Sequence, residues 1–304
     1  MKRIYLHWVP VLTILAGFLL TPGRRELEKI HTTDNPPLAN TLLWKISGHN
    51  ISHPSYLFGT MHLLCAADAN LSDSLKNAIH SCDEIYFEIN LDDMSGIMQS
   101  LRFMRMSDNK KLSDLLNDND YQKVKTYFDK QGSILPFSML ERFKPLLISS
   151  LIEESGLGCT TTNGMELVIQ REAHVQLKKI RGLETAEFQA GLFDSIPYEQ
   201  QARDLVNYID SSESYKKNTQ ELVETYRAQD LEKIDALTRT ADAGMTSYLD
   251  LLLYQRNRKW VDSLNVLLGN KPLLIAVGAA HLPGDQGLIN LLKKKGFELT
   301  PVKN

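Results

Sequence analysis

Short apolar runs separated by polar turns occupy both ends of the chain, whereas the middle shows helical periodicity. Runs of this kind, bounded by Gly, Asn or Asp, predict β-strands. A turn signal at Gly48-His49-Asn50 joins the first two runs, which predicts a hairpin with a moderately long loop. The predicted strands are residues 42–46, 55–62, 84–91, 175–183, 272–277 and 297–302.

The first predicted helix connects two of these strands. Leu75, Ala78 and Ile79 recur at helical spacing, and Ser72 is a suitable N-cap. Residues 55–91 therefore predict a strand-helix-strand unit, whose two strands are normally parallel with a right-handed crossover.

Helical patterns fill most of the chain between residues 92 and 268. No clear linker divides this region from the predicted strands. We therefore predict one α+β domain, in which a large helical insertion covers a central mixed sheet. The strongest helical patterns are 94–105, 121–130, 140–154, 164–173, the region 187–268, and 286–295 near the end.

The N-terminus has the pattern of an export signal, because the basic pair Lys2-Arg3 precedes an apolar run over residues 4–20. The run is short for a bilayer span, which needs about 20 residues, and no Ala-x-Ala cleavage site follows it. Residues 1–23 are thus a signal peptide or a membrane anchor, with a buried helix as a third alternative. We expect a linker over 24–41, a folded domain over 42–304, and a protein that is periplasmic or membrane-anchored facing outside the cytoplasm.

Composition narrows the choice of partners. The formal net charge is −3, so nothing indicates a polyanion-binding surface, and we expect no nucleic-acid partner. The three cysteines, Cys65, Cys82 and Cys159, form no Cys-x-x-Cys pair, which argues against a zinc knuckle. Because their number is odd, at most one disulfide can form, and the fold cannot depend on a disulfide framework.

Two histidines share one local context. Gly59-Thr60-Met61-His62 and Gly278-Ala279-Ala280-His281 each follow an apolar strand, and ligands in open sheets bind beyond strand ends. Imidazole is a common transition-metal ligand and a general base. Either histidine alone is more simply interpreted as a structural residue, but the matched pair favours a shared site.

Glu88 lies inside the apolar strand Ile85-Tyr86-Phe87-Glu88-Ile89. A buried lone carboxylate costs several kcal/mol unless it is paired or metal-bound. The alternative is an edge strand with this side chain in water. Two histidines and one carboxylate form a common hydrolytic metal set, which would be assembled here from separate strands.

Other polar residues are candidates for supporting roles. Glu184 ends a strand and is either a catalytic partner or a solvated loop carboxylate. Arg256-Asn257 could hold a substrate carboxylate, although on pattern alone a surface pair is the simpler interpretation. A Cys65 and His62 nucleophile pair is conceivable but lacks a third orienting group.

A set of short motifs occurs in order along the chain: Leu43-Trp44-Lys45-Ile46, Ser55 to His62, Phe87-Glu88, Gly182-Leu183-Glu184-Thr185, Arg256-Asn257, Val277 to Leu282, Gly287-Leu288 and Gly296-Phe297. These ordered motifs resemble the TraB/GumN family, which is related to the TIKI metalloproteases. The resemblance runs from about Leu42 to Val302. Members often have Gly-x-Asp where this chain has Gly164-Met165-Glu166, whose carboxylate is one methylene longer.

The resemblance implies a sheet like that of the erythromycin esterase and ChaN group. It also implies a hydrolase, best supported as a peptidase, that depends on a divalent ion such as Mn, Co or Zn. His62, His281 and Glu88 would be metal ligands and, together with Glu184, catalytic residues. Arg256 and Asn257 would bind a peptide or small-molecule substrate.

Two other functions remain open on these residues. The same pocket could capture a peptide or small ligand without turnover. Alternatively, histidine and glutamate could act as an acid-base pair in an esterase-like hydrolase without metal. The N-terminal segment also predicts membrane association.

Overall fold

The computed structural model describes residues 38–48, 51–131, 136–159, 161–240 and 248–304. The predicted signal or anchor segment, residues 1–23, and most of the predicted linker lie outside this part of the chain. Within the described residues, no helix combines the length and apolar character needed to cross a membrane.

A mixed sheet of six strands forms the centre, and a separate two-stranded ribbon lies outside it. The strands of the sheet are β1 (Leu43–Gly48), β2 (Ser55–Thr60), β4 (Glu84–Ile89), β6 (Lys179–Glu184), β7 (Leu273–Gly278) and β8 (Phe297–Val302), and the ribbon pairs β3 (Leu64–Cys65) with β5 (Thr162–Asn163). The order in the sheet is β6-β4-β7-β2-β1-β8. The first four of these are parallel neighbours, whereas β1 pairs antiparallel with both β2 and β8. The α+β class with a mixed central sheet is thus confirmed.

The hairpin of β1 and β2 is confirmed, and β2 and β4 are parallel as predicted. They are not neighbours, because β7 from the far end of the chain lies between them. The strand predicted over 175–183 starts too early. Val175 ends a helix, Leu177 adopts a positive φ of 54°, and β6 begins only at Lys179.

Helices surround the sheet. Ser72 caps the first of them, and its side chain accepts a hydrogen bond from the Leu75 amide as predicted. The helices are α1 (Asp73–Ser81), α2 (Met94–Ser100), α3 (Leu112–Leu115), α4 (Asp118–Gln131), α5 (Phe137–Leu140), α6 (Pro145–Gly156), α7 (Met165–Val175), α8 (Ala186–Leu192), α9 (Tyr198–Asp210), α10 (Ser212–Arg227), α11 (Leu231–Arg239), α12 (Gln255–Leu267) and α13 (Leu288–Lys294).

Two hydrophobic cores follow from this arrangement. Every residue of β4 and β7 is buried, as expected for central parallel strands covered on both faces. A second core lies within the helical insertion, around Phe128, Leu140, Ile148 and Leu205. The site described below belongs to the sheet, not to the second core.

Cys65 and Cys159 form a disulfide, and Cys82 is a buried free thiol. One disulfide is the number that the cysteine count allows. Because the Cys65 sulfur is bonded, it is not available as a nucleophile, and the proposed Cys65 and His62 pair is wrong.

Candidate functional site

The two Gly-x-x-His segments meet at the carboxyl ends of neighbouring parallel strands. Thr60 at the end of β2 pairs in register with Gly278 at the end of β7. A Cβ atom on Gly59 would lie 3.1 Å from the Ala279 Cα, so a glycine suits this close approach. His62 and His281 are 6% and 1% exposed, and both therefore lie inside the molecule.

Glu88 lies between the two histidines. Its Oε1 is 3.9 Å from His62 Nε2 and 3.7 Å from His281 Nε2, and it accepts a hydrogen bond of 2.9 Å from the Gly278 amide. The side chain is 4% exposed because β4 is an internal strand between β6 and β7. The edge-strand interpretation of Glu88 is therefore wrong.

Arg256 joins the two carboxylates of the site. From the first turn of α12, its Nη2 donates hydrogen bonds of 2.6 Å to Glu88 Oε2 and 2.5 Å to Glu184 Oε1. Arg256 and Asn257 are each 1% exposed, so the surface-pair interpretation is wrong for both. The Glu184 side chain is 7% exposed, which also excludes a solvated loop carboxylate.

Two further residues, which the sequence did not predict, donate hydrogen bonds to these carboxylates. Gln189 Nε2 donates to Glu88 Oε2 at 2.9 Å and to Glu184 Oε1 at 3.1 Å. Trp260 Nε1 donates to Glu184 Oε2 at 3.2 Å, and the Arg256 guanidinium lies 4.6 Å from the centre of a Trp260 ring. No pattern in the chain distinguishes either residue, because both lie on helices of ordinary amphipathic composition.

Each imidazole has an oxygen atom beside its Nδ1. His281 Nδ1 lies 2.6 Å from Asn257 Oδ1, and its Nε2 lies 3.3 Å from Arg256 Nη1. His62 Nδ1 lies 2.7 Å from Glu166 Oε1, an ion-pair distance at an angle that is not that of a regular hydrogen bond. Glu166 is also absent from the predicted site. The Gly164-Met165-Glu166 departure from Gly-x-Asp was the available signal for it.

Charge and burial shift the pKa values of these groups in different directions. Burial lowers the pKa of His62, but the charges of Glu166 and Glu88 outweigh it and leave the pKa raised. Burial lowers the pKa of His281 to about 3, against the opposing effect of Glu88. Burial raises the pKa of Glu88, but Arg256 and the two histidines lower it well below the usual range.

Buried polar atoms without a hydrogen-bond partner collect at this site. Among the described residues, they include Thr60 Oγ1, both ring nitrogens of His62, Glu166 Oε1 and Gln189 Oε1. Buried polar groups are normally satisfied, so such a cluster is typical of a place that a ligand or water occupies.

The fit to a metal ion is incomplete. In the part of the chain that the structure describes, no group of three or more His, Cys, Asp or Glu side chains is arranged to hold one. The donor types still suit a divalent ion, since two imidazoles and a carboxylate face each other and His62 Nε2 has no hydrogen-bond partner. The guanidinium of Arg256 lies against both Glu88 and His281, where it supplies positive charge.

The fold and site define an α+β protein with buried imidazoles, carboxylates and one guanidinium beyond the ends of parallel strands. A model of the TraB/PrgY/gumN family matches residues 42–301. The chain therefore belongs to this family, as the motifs predicted.

Curated relatives are metalloproteases by name. The chain is 23% identical to metalloprotease TIKI2 of Danio rerio over 97% of this chain and 67% of that protein. It is 22% identical to metalloprotease TIKI1 of Homo sapiens over 86% of this chain and 61% of that protein. The chain thus spans about two thirds of these relatives. No solved structure matches the chain significantly, so the likeness to the erythromycin esterase and ChaN fold stays a prediction.

Proposed function

We propose that this protein is a divalent-metal-dependent hydrolase that acts on peptides. Membership of the family and the similarity to proteins named metalloproteases support this class of activity. At 22–23% identity and partial coverage, the relatives support the class rather than a particular substrate.

One observation carries the proposal. Two imidazole Nε2 atoms, from His62 and His281, lie within 4 Å of the same carboxylate oxygen of Glu88 in the protein interior. Isolated polar atoms are costly to bury, and these three come from the ends of three different strands, β2, β4 and β7. Such convergence is typical of a site that binds a cation or a reacting group.

In this proposal His62, His281 and Glu88 would hold the ion. A divalent ion bound there would lower the pKa of water to ~7 and so would supply hydroxide at neutral pH. The remaining residues hold the donors in place. Asn257 fixes the His281 ring, and Gln189 holds one oxygen of Glu88, so that the other oxygen faces the histidines.

Arg256 and Asn257 were predicted to bind substrate. Both side chains already have protein partners: Arg256 contacts Glu88 and Glu184, and the Asn257 amide donates to the Gln286 carbonyl at 2.8 Å. We therefore propose that they hold Glu88 and His281 in place rather than contact the substrate.

A metal-independent hydrolase is the second candidate, and Arg256 favours it. Its guanidinium already lies against the carboxylate and imidazole that would have to bind a cation. In that case an imidazole and a carboxylate would exchange the proton directly.

We also propose that the protein is exported. Disulfides persist in oxidising compartments and are rare in the cytosol, so the bond between Cys65 and Cys159 supports the prediction from the N-terminus. Whether residues 1–23 are cleaved or anchor the protein in a membrane stays a prediction.

The test is cleavage of a mixed peptide library by the purified protein, analysed by mass spectrometry. We expect cleavage with Mn²⁺, Co²⁺ or Zn²⁺, loss of cleavage with a chelator, and recovery when the ion is returned. His62→Ala and His281→Ala should each lower the rate by at least about 100-fold, as expected for groups that take part in the reaction. His174→Ala is the control, because this exposed histidine pairs with Asp92 outside the site.

The outcomes separate the candidates. Cleavage that survives the chelator and still needs His62 would replace the metal-dependent mechanism with the metal-independent one. Stoichiometric binding of peptides without turnover would leave a sequestering protein and overturn both hydrolase candidates.

A further inference from the structure

Glu166 faces the site from the helical insertion. It lies in the first turn of α7, is 6% exposed, and brings its Oε1 to 2.7 Å from His62 Nδ1. The proposed ligands of the ion come from the sheet, whereas this carboxylate comes from the helical insertion, far from His62 along the chain. Its contact with His62 therefore needs a structure that holds the two segments together.

A short ribbon supplies that structure. Leu64 and Cys65 of β3 pair antiparallel with Thr162 and Asn163 of β5. Hydrogen bonds extend the pairing on both sides: the Ala66 amide donates to the Thr161 carbonyl at 2.9 Å, and the Met165 amide donates to the Met61 carbonyl at 3.0 Å. Residues 61–66 and 161–165 thus run side by side, with His62 and Glu166 at the same end.

Gly164 and the disulfide tighten this arrangement. A Cβ atom on Gly164 would lie 2.7 Å from the His62 carbonyl oxygen and 2.7 Å from Glu166 Oε2, so no larger residue fits there. At the other end of the ribbon, the disulfide joins Cys65 to Cys159 across 94 residues of sequence. The ribbon is therefore fixed at both ends.

His281 has a comparable contact at its own Nδ1. Asn257 Oδ1 lies 2.6 Å from His281 Nδ1, so an oxygen atom accompanies the Nδ1 of both imidazoles, while both Nε2 atoms face Glu88. The hydrogen bond at one ring nitrogen decides which nitrogen carries the proton. The contact of Glu166 with His62 has the distance of an ion pair but not the angle of a regular hydrogen bond. A carboxylate oxygen 2.7 Å from Nδ1 still favours a proton on that nitrogen, because a carboxylate can only accept.

We infer that Glu166 is a positioning residue for His62: it holds the ring with the proton on Nδ1 and the lone pair of Nε2 toward Glu88. The ribbon of residues 61–66 and 161–165 holds Glu166 in place. This inference rests on the proposed function only where Nε2 serves as a metal ligand. The position of the proton on the ring does not depend on any reaction.

The first test is the tautomer of His62, measured by ¹⁵N NMR of the imidazole nitrogens in the full protein at alkaline pH. Glu166→Leu removes the acceptor and Glu166→Gln keeps one at the same length, so the two variants have similar volume. We expect Nδ1–H in the wild type and in Glu166→Gln, and loss of this preference in Glu166→Leu. His281, held by Asn257, should keep its signals in all three proteins, and Glu172→Ala on the same helix is the control.

An unchanged His62 tautomer in Glu166→Leu would overturn the inference. The second measurement is the affinity for Zn²⁺ or Co²⁺ by titration calorimetry, which we expect Glu166→Leu to weaken about 10–100-fold. If the wild type binds neither ion, the metal-dependent function fails, while the NMR result still decides the role of Glu166. If the tautomer shifts but the affinity does not, Glu166 positions His62 and the metal-binding role of Nε2 is overturned.

Discussion

Glu88 and Glu153 are equally buried carboxylates in different regions, and their pKa values shift in opposite directions. Glu88 is 3% exposed at the strand ends, and Glu153 is 4% exposed on α6 in the helical insertion. Burial raises the pKa of Glu153 to about 8. The pKa of Glu88 is lowered despite burial, because Arg256 and the two histidines surround it.

Burial alone therefore does not mark a functional carboxylate. A carboxylate in an apolar surrounding takes up a proton and becomes neutral. A carboxylate stays charged in the interior when a cation lies against it, and the Arg256 guanidinium lies 2.6 Å from Glu88 Oε2. The charged carboxylate is the one that could hold a cation or move a proton.

We expect the largest effect on stability when the Arg256 guanidinium beside Glu88 is removed. Arg256→Met leaves Glu88 and Glu184 buried without their guanidinium, so we expect the free energy of unfolding to fall by about 3–5 kcal/mol. Denaturant unfolding measures it. Arg258→Met on the same helix is the control, since its exposed pair with Asp250 is worth less than about 1 kcal/mol. Equal losses in the two variants would contradict the account of Glu88.

The pH dependence of stability tests whether Glu153 is neutral in the folded protein. The pKa of Glu153 is about 8 in the folded protein, against 4.5 for an ordinary glutamate. The folded state therefore binds more protons than the unfolded state between these values. Its contribution to stability is complete below pH 4.5 and is lost as pH rises toward 8.

The variant Glu153→Gln removes this titration. We expect the difference in unfolding free energy between variant and wild type to shift in favour of the variant by roughly 2–4 kcal/mol from acid to alkaline pH. Glu213→Gln, an exposed partner of Lys216, should show no such trend. A pH-independent difference for Glu153→Gln would mean that this carboxylate is not held neutral by burial.

A smaller effect is expected at the second imidazole. Asn257→Ala leaves His281 Nδ1 without its acceptor in the interior, which should cost about 1–3 kcal/mol in unfolding free energy. Thermal or denaturant unfolding measures the loss, with the exposed Asn270→Ala as control. No loss relative to that control would show that the amide does not hold the ring.

Local patterns predicted much of the fold. The hairpin, the first helix with its Ser72 cap and the last strand were all predicted correctly, because each depends on neighbouring residues. The insertion of β7 between β2 and β4 was not predicted, since it brings together segments about 190 residues apart. The partners of the disulfide could likewise not be predicted, because three cysteines allow several pairings.

The site was predicted in part for the same reason. His62, His281 and Glu88 each break a strong apolar pattern, so they could be selected from the sequence, and the structure brings them together. Arg256 lies on a helix whose surface and core positions the pattern alone does not separate, so the pattern favours a surface position although the side chain is 1% exposed. Glu166 depends on a ribbon between distant segments, which no local pattern shows.

The most direct test of the central claim is the content of bound divalent metal in the purified protein, measured by mass spectrometry of the elements. We expect about one ion per chain in the wild type and in His174→Ala, with loss of the ion in His62→Ala, His281→Ala and Glu88→Gln. If the wild type holds no Mn, Co or Zn after incubation with each ion, or if the three site variants hold as much as the wild type, the metal-dependent site does not exist.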